Sequence, residues 1–130
     1  MGAKEDLALV QSGYEAFGRG DIPAVLAVLS PEIQWHIAGR NPMAGTYKGH
    51  DEVVGFFTQL MERTGGTFNL EIHDFLASDD HIVVLARETG QRDGKSLDSN
   101  AVHIWHLRDG KATEFFGINQ DQSAADDFWA

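Results

Sequence analysis

The sequence predicts a single α+β domain over residues 1–130: a curved, mainly antiparallel sheet wrapped around N-terminal helices and enclosing a pocket. Three observations predict it. Apolar residues recur at helical spacing from Leu7 to Met61, with one short strand among them. After Gly65-Gly66 the period changes to the alternation of strands. Three turn signals, Ser78-Asp79-Asp80, Arg92-Asp93-Gly94-Lys95 and Arg108-Asp109-Gly110-Lys111, then divide the remainder into a four-strand antiparallel meander. A strongly curved sheet closed by helices is a cone, and a cone of this size leaves a cavity at its wide end.

The first helix is expected from about Lys4 to Phe17, with Leu7, Val10, Tyr14 and Phe17 on one side and Gly18 and Gly20 ending it. Asp21 is placed to N-cap a second helix, with Pro23 tolerated in its first turn. That helix carries Val25, Leu26, Val28 and Leu29, and Ser30-Pro31 stops it. Ile33, Trp35 and Ile37 then alternate with Gln34 and His36 on a short strand. Gly39, Pro42 and Gly45 make the next stretch an irregular loop, bearing Met43 and Tyr47. An inward Trp35 followed by such a loop builds one wall and the lip of an apolar cavity, or else simply fills a core. Asp51 and Glu52 open a third helix, where the dipole favours carboxylates, and Val53 to Met61 give it an apolar face.

The strands follow at Phe68 to His73, His81 to Thr89, Leu97 to Leu107 and Ala112 to Asn119. The tail from Gln120 to Ala130 has room for a short helix, and its Phe128 and Trp129 are too apolar for a free end.

Composition narrows the function classes. The chain has no cysteine, which removes thiolate nucleophiles, zinc–thiolate sites and disulfides. A net charge of −10 argues against nucleic acid and anionic membrane surfaces as partners, and says little about a neutral ligand. No apolar run approaches membrane-spanning length, and the N-terminus lacks a signal-peptide core, so a cytoplasmic protein is expected. Six histidines invite a metal, but none are paired at helical His-x-x-x-His spacing, and His103 and His106 fall on opposite strand faces. Neither metal nor cofactor is expected.

Three stretches carry a resemblance: Tyr14-Glu-Ala-Phe-Gly-Arg-Gly-Asp21, Trp35 with Ala44-Gly-Thr-Tyr-Lys-Gly-His50, and Val102-His-Ile-Trp-His-Leu-Arg-Asp-Gly-Lys111. In this order they resemble the SnoaL-like and ketosteroid-isomerase-like branch of the NTF2-like superfamily, across nearly the whole chain. The resemblance implies the cone. It leaves the reaction open, because the superfamily holds isomerases, polyketide cyclases, epoxide hydrolases, dehydratases and non-catalytic binders. The steroid isomerases' carboxylate base falls on Ile37, which cannot move a proton. Their tyrosine falls on Gly13, which directs Tyr14 elsewhere on the helix, and their acid falls on His103. The isomerase set is therefore not preserved. The cyclases are similar in using ionisable residues near the mouth of the cone, a role open to His103. The epoxide hydrolases need two carboxylates bridged by an arginine, for which Arg87, Glu88 and Asp98 are available without matching that pattern.

His103 is the candidate acid or base, on a strand face shared with Ser99, Ala101 and Trp105. His36, His73 and His106 read as outward, His50 as part of a helix start and His81 as part of a turn. Glu88 becomes a candidate general base if it points inward. Asp98 and Asn100 belong to the outer face. Tyr14, Phe17, Trp35, Ile37, Met43, Tyr47, Phe57, Trp105 and Phe115 are the expected lining, with Asn119 the polar group that orients a ligand. The expected ligand is small and mostly apolar with a polar end, and the expected assembly is a homodimer through the outer sheet face. Three functions stay open: proton-transfer chemistry such as isomerisation, cyclisation or dehydration; binding without turnover; and a structural dimer module with a filled cone.

Overall fold

The computed structural model describes residues 2–130. Helices α1 (Ala3–Gly18) and α2 (Ile22–Val28) come first, then strands β1 (Leu29–Ile37) and β2 (Gly45–Lys48), then helix α3 (Gly49–Arg63). Strands β3 (Asn69–Ala77), β4 (His81–Arg92), β5 (Lys95–Arg108) and β6 (Lys111–Asn119) follow, and helix α4 (Gln122–Trp129) closes the chain. The six strands form one sheet in the order β2-β1-β6-β5-β4-β3, with β1 parallel to β6 and every other pair antiparallel. This is the α+β cone the sequence predicts.

Local chemistry explains the joints. Asp21 caps α2 by accepting from Ala24 N at 3.2 Å, and Asp121 caps α4 by accepting from Ala124 N at 3.1 Å. The β4–β5 and β5–β6 hairpins turn on Asp93-Gly94 and Asp109-Gly110, whose φ angles are all positive, the requirement of a tight hairpin turn. Register breaks between Ile72 and Asp74 in β3 and between His106 and Leu107 in β5 add local twist, which bends the sheet around the helices.

Three expectations need correction. Leu29, Ser30 and Pro31 belong to β1 and not to the second helix, because Leu29 pairs with Ala112 of β6. Pro31 is tolerated where the β1–β6 register breaks, between Leu29 and Gln34. The stretch after Gly45 is not wholly irregular: Thr46, Tyr47 and Lys48 pair with His36, Trp35 and Gln34 as the edge strand β2. His81 likewise opens β4, opposite His106, and does not sit in the turn.

The inner face of the sheet carries Ile33 and Trp35 from β1, Phe115 from β6, Trp105 from β5 and Ile82 and Val84 from β4, all buried. Against them pack Val10 of α1, Val25 of α2 and Val53, Phe56, Phe57 and Leu60 of α3. The tail packs on its own cone: Phe128 and Trp129 are buried at one end of it. Helix α4 is clasped there by side chains. Asp126 accepts from Arg40 N at 3.0 Å and Asn41 Nδ2 at 2.7 Å, Arg92 donates to the carbonyls of Phe128 and Ala130, and Lys95 donates to that of Asp127. Those donors hold the Asp126 carboxyl below the usual carboxylate range, the Asn41 amide most strongly.

Candidate functional site

Strand parity delivers one polar cluster into the apolar cone. On β4, Ile82, Val84 and Ala86 point inward and so does Glu88; on β5, Ala101, His103 and Trp105 do. Ala86 pairs with Ala101, Glu88 lies two residues beyond the first and His103 two residues beyond the second, in opposite directions. Two small side chains thus separate two large ionisable ones, which meet over them. His103 Nε2 lies 3.7 Å from Glu88 Oε1, with side chains only 8% and 14% exposed.

The other ring nitrogen is already committed. His103 Nδ1 lies 2.6 Å from Tyr14 Oη, and Trp105 Nε1–H donates to the same oxygen at 3.0 Å. The Trp105 N–H and the Tyr14 O–H are both satisfied when Tyr14 O–H donates to Nδ1, which leaves the imidazole proton on Nε2, facing Glu88. Tyr14 therefore points into the cone and stacks parallel to His103, with ring centroids 5.8 Å apart, and is not directed elsewhere on the helix.

Burial pushes the Tyr14 phenol well above its ordinary range, the Trp105 hydrogen bond lowers it, and the Glu88 charge raises it further. It remains a neutral donor at any physiological pH. Above about pH 10 the unfolded chain ionises this phenol while the folded chain holds it neutral. The stability it contributes is complete below that pH and is lost as pH rises toward the folded value. Tyr14→Phe is expected to cost about 1–3 kcal/mol near neutrality, since Trp105 Nε1–H and His103 Nδ1 lose their partner. Urea titrations should show the gap between wild type and variant narrowing above about pH 10; a gap that widens would contradict a buried neutral phenol.

The cluster opens onto an interior cavity of about 100 Å³. His103, Tyr14, Phe17, Trp35 and Ile37 all line it, as do Met43, Phe57, Trp105, Phe115 and Asn119. Tyr47 does not: its hydroxyl donates to Met43 O at 2.8 Å and its ring packs on Phe56, so it braces the lip from behind. Gly117 faces His103 across the β5–β6 pair, and a Cβ there would come within 3.1 Å of Ile37 and Phe115. The missing side chain keeps the space beside the imidazole. Two lining atoms, Trp35 Nε1 and Asn119 Oδ1, are buried with no hydrogen-bond partner among the described residues.

The outward assignments divide cleanly. Arg87 forms a two-pronged pair with Asp98 at 2.8 and 2.7 Å and approaches Glu71 at 3.9 Å. That pair lies on the exposed face, away from Glu88, so Arg87, Glu88 and Asp98 do not form the bridged trio of an epoxide hydrolase. His36 and His106 both meet Glu114, at 2.9 and 3.5 Å, and His50 donates to Leu29 O at 3.1 Å. The expected lining omitted Phe56, Leu60, Phe68, Leu70, Gln122 and Trp129. The helical spacing of Val53, Phe56, Phe57 and Leu60 in α3 already pointed to the first two.

A curved sheet wrapped on helices around a buried acid–base cluster defines the class as an NTF2-like cone. Within that class the chain belongs to the SnoaL-like family, whose domain matches residues 10–115. It is similar to Bal32a from a soil-derived mobile gene cassette, at 30% identity and TM-score 0.94 over 98% of each chain. It is similar to TerC, solved with polyporic acid, at 25% identity and TM-score 0.84 over 95% of this chain and 97% of that one. The uncharacterized protein Rv0034 of Mycobacterium tuberculosis is 28% identical over 96% of both chains. No helix among the described residues is long and apolar enough to cross a membrane.

Proposed function

We propose that the cone binds a small, mostly apolar molecule with a polar end and catalyses proton transfer on it without a cofactor. One observation carries this reading: a carboxylate and an imidazole N–H, 3.7 Å apart, stand in a mostly apolar cavity while Tyr14 holds the far side of the ring. Two groups at that separation can both reach one substrate. Glu88 takes the proton from a carbon beside a carbonyl, and the bonding pair moves onto the carbonyl oxygen. His103 Nε2–H donates to that oxygen as charge develops there. Return of the proton from Glu88 to another carbon completes an isomerisation; attack of the deprotonated carbon on a second carbonyl of the ligand, whose π pair moves onto its oxygen and takes the proton from Glu88, completes a cyclisation.

Asn119 Oδ1 and Trp35 Nε1–H would take further polar atoms of the ligand, which is how buried unpaired groups are normally satisfied. TerC, to which the chain is similar, was co-crystallised with polyporic acid, which supports a small-molecule ligand here. The outer face supports a homodimer: Val102, Ile104 and Phe116 are only half-buried there, and Ile118 is 39% exposed. Sedimentation should give the mass of two chains, and Ile118→Glu should give that of one.

The test is a thermal-shift screen with steroids, polyketide-like aromatics, terpenoid epoxides and fatty acids, on wild type and His103→Gln in parallel. A ligand at a hundredfold excess over its Kd adds about 2.7 kcal/mol, a rise of several degrees for a domain this size. A hit whose shift shrinks in the variant is the expected result. A hit indifferent to the variant favours binding without turnover. No hit with any class favours the filled cone.

A further inference from the structure

A second void lies outside the cone wall: a groove of about 580 Å³ between the end of α1, the start of α2, the outer side of α3 and the first residues of β3. Five residues line both it and the inner cavity: Tyr14, Phe17, Phe57, Phe68 and Leu70. The two voids are therefore separated by one layer of side chains, chiefly the Phe17 and Phe57 rings, whose centroids are 5.4 Å apart. Helix α4 covers another part of the cone, with Phe128 and Trp129 buried and the helix clasped through Asp126, Arg92 and Lys95. The groove is apolar where it meets the wall. Of its lining only Arg19 is charged, and that side chain lies 3.6 Å from Asp21. Its rim holds Met61, a large apolar side chain left 39% exposed.

We infer that cavity and groove are one ligand compartment, joined at Phe17 and Phe57, and that the ligand is elongated: a compact polar head inside, an apolar tail in the groove. The inference rests on the proposed function for the head, which meets His103 and Glu88; the tail rests on the groove alone. An inner space of about 100 Å³ is smaller than the roughly 150 Å³ cavity that takes a benzene, so it has room for no more than a compact head group. A ligand of ordinary size must place the rest of itself elsewhere, and the shared wall is where the two voids meet. Aromatic rings at such a wall move by rotation about their side-chain bonds without disturbing the backbone.

The probe is the series of para-alkylphenols from phenol to para-hexylphenol, with binding read by titration calorimetry. Affinity should tighten about two- to fourfold for each added methylene, the lower figure for a tail half open to water. Thr58→Trp, at an exposed position of α3 lining the groove, should flatten the series to the affinity of phenol and leave phenol itself unchanged. Met61→Trp gives the same test from the rim. His103→Gln should weaken every member by the same factor. A flat series in wild type, or a slope that survives both tryptophan variants, overturns the inference. A slope removed by Thr58→Trp but indifferent to His103→Gln keeps the groove and overturns the placement of the head. Binding by no member overturns both.

Discussion

Glu88→Gln is expected to lower turnover by about 100- to 10,000-fold, the range lost with a general base. The amide keeps the shape of the carboxylate but cannot accept a proton from carbon. The fold should be little changed, because the contact to His103 Nε2, at 3.7 Å, is longer than a hydrogen bond. The assay needs no knowledge of the product. A carbonyl ligand from the thermal-shift screen is incubated with enzyme in deuterated water, and exchange of hydrogen for deuterium beside the carbonyl is followed by NMR. Wild type should catalyse the exchange, Glu88→Gln should not, and the two should melt within a few degrees of each other.

His103→Gln should slow exchange less than Glu88→Gln, since a glutamine amide can still donate to the developing oxyanion. The double variant should be far less impaired than the product of the two single losses, because both groups serve one step. Exchange unimpaired in Glu88→Gln would remove Glu88 from the chemistry and overturn the proposed proton abstraction.

Most of this architecture is legible in the chain, for identifiable reasons. The hairpin turns carry their own chemistry in Asp93-Gly94 and Asp109-Gly110, and Asp21, the cap of α2, sits where the backbone needs an acceptor. What hid β2 and the start of β1 was tertiary pairing. Leu29 is a good helix former that joins a strand because Ala112 is there to pair with it, and Thr46 to Lys48 are too few to show an alternation. Glu88 was obscured differently. Ile82 to Ala86 is apolar on both faces, so the run itself gives no parity; parity follows only from the burial of Ile82, Val84 and Ala86. Tyr14 lines the cavity as its helical spacing with Val10 and Phe17 implies; only the count along the family pattern pointed it elsewhere. The cluster needs three elements, α1, β4 and β5, to meet, and no local signal records that meeting.

Trp35→Ala is expected to destabilise the fold by about 3–5 kcal/mol, the range for removing a large aromatic from a core. Trp35 is 5% exposed and sits where both halves of the cone touch. Its ring stacks on Phe115 at 3.7 Å and meets Trp105 and Phe57 edge-on at 5.6 and 5.5 Å. Those partners come from β6, β5 and α3, so they cannot close over the space together. A domain has only about 5–15 kcal/mol in total, so the loss takes a large share of it. Trp35→Phe separates packing from polarity. It keeps a ring on Phe115 and deletes the indole N–H, a buried donor with no partner among the described residues. Removing an unsatisfied donor recovers part of what the smaller ring loses, so this change should cost less than about 2 kcal/mol. Urea denaturation decides it: the midpoint should fall far more for Ala than for Phe, with the slope unchanged. Equal losses in the two variants would mean that the indole N–H is held by a partner, and that the polar end of the ligand has no claim on it.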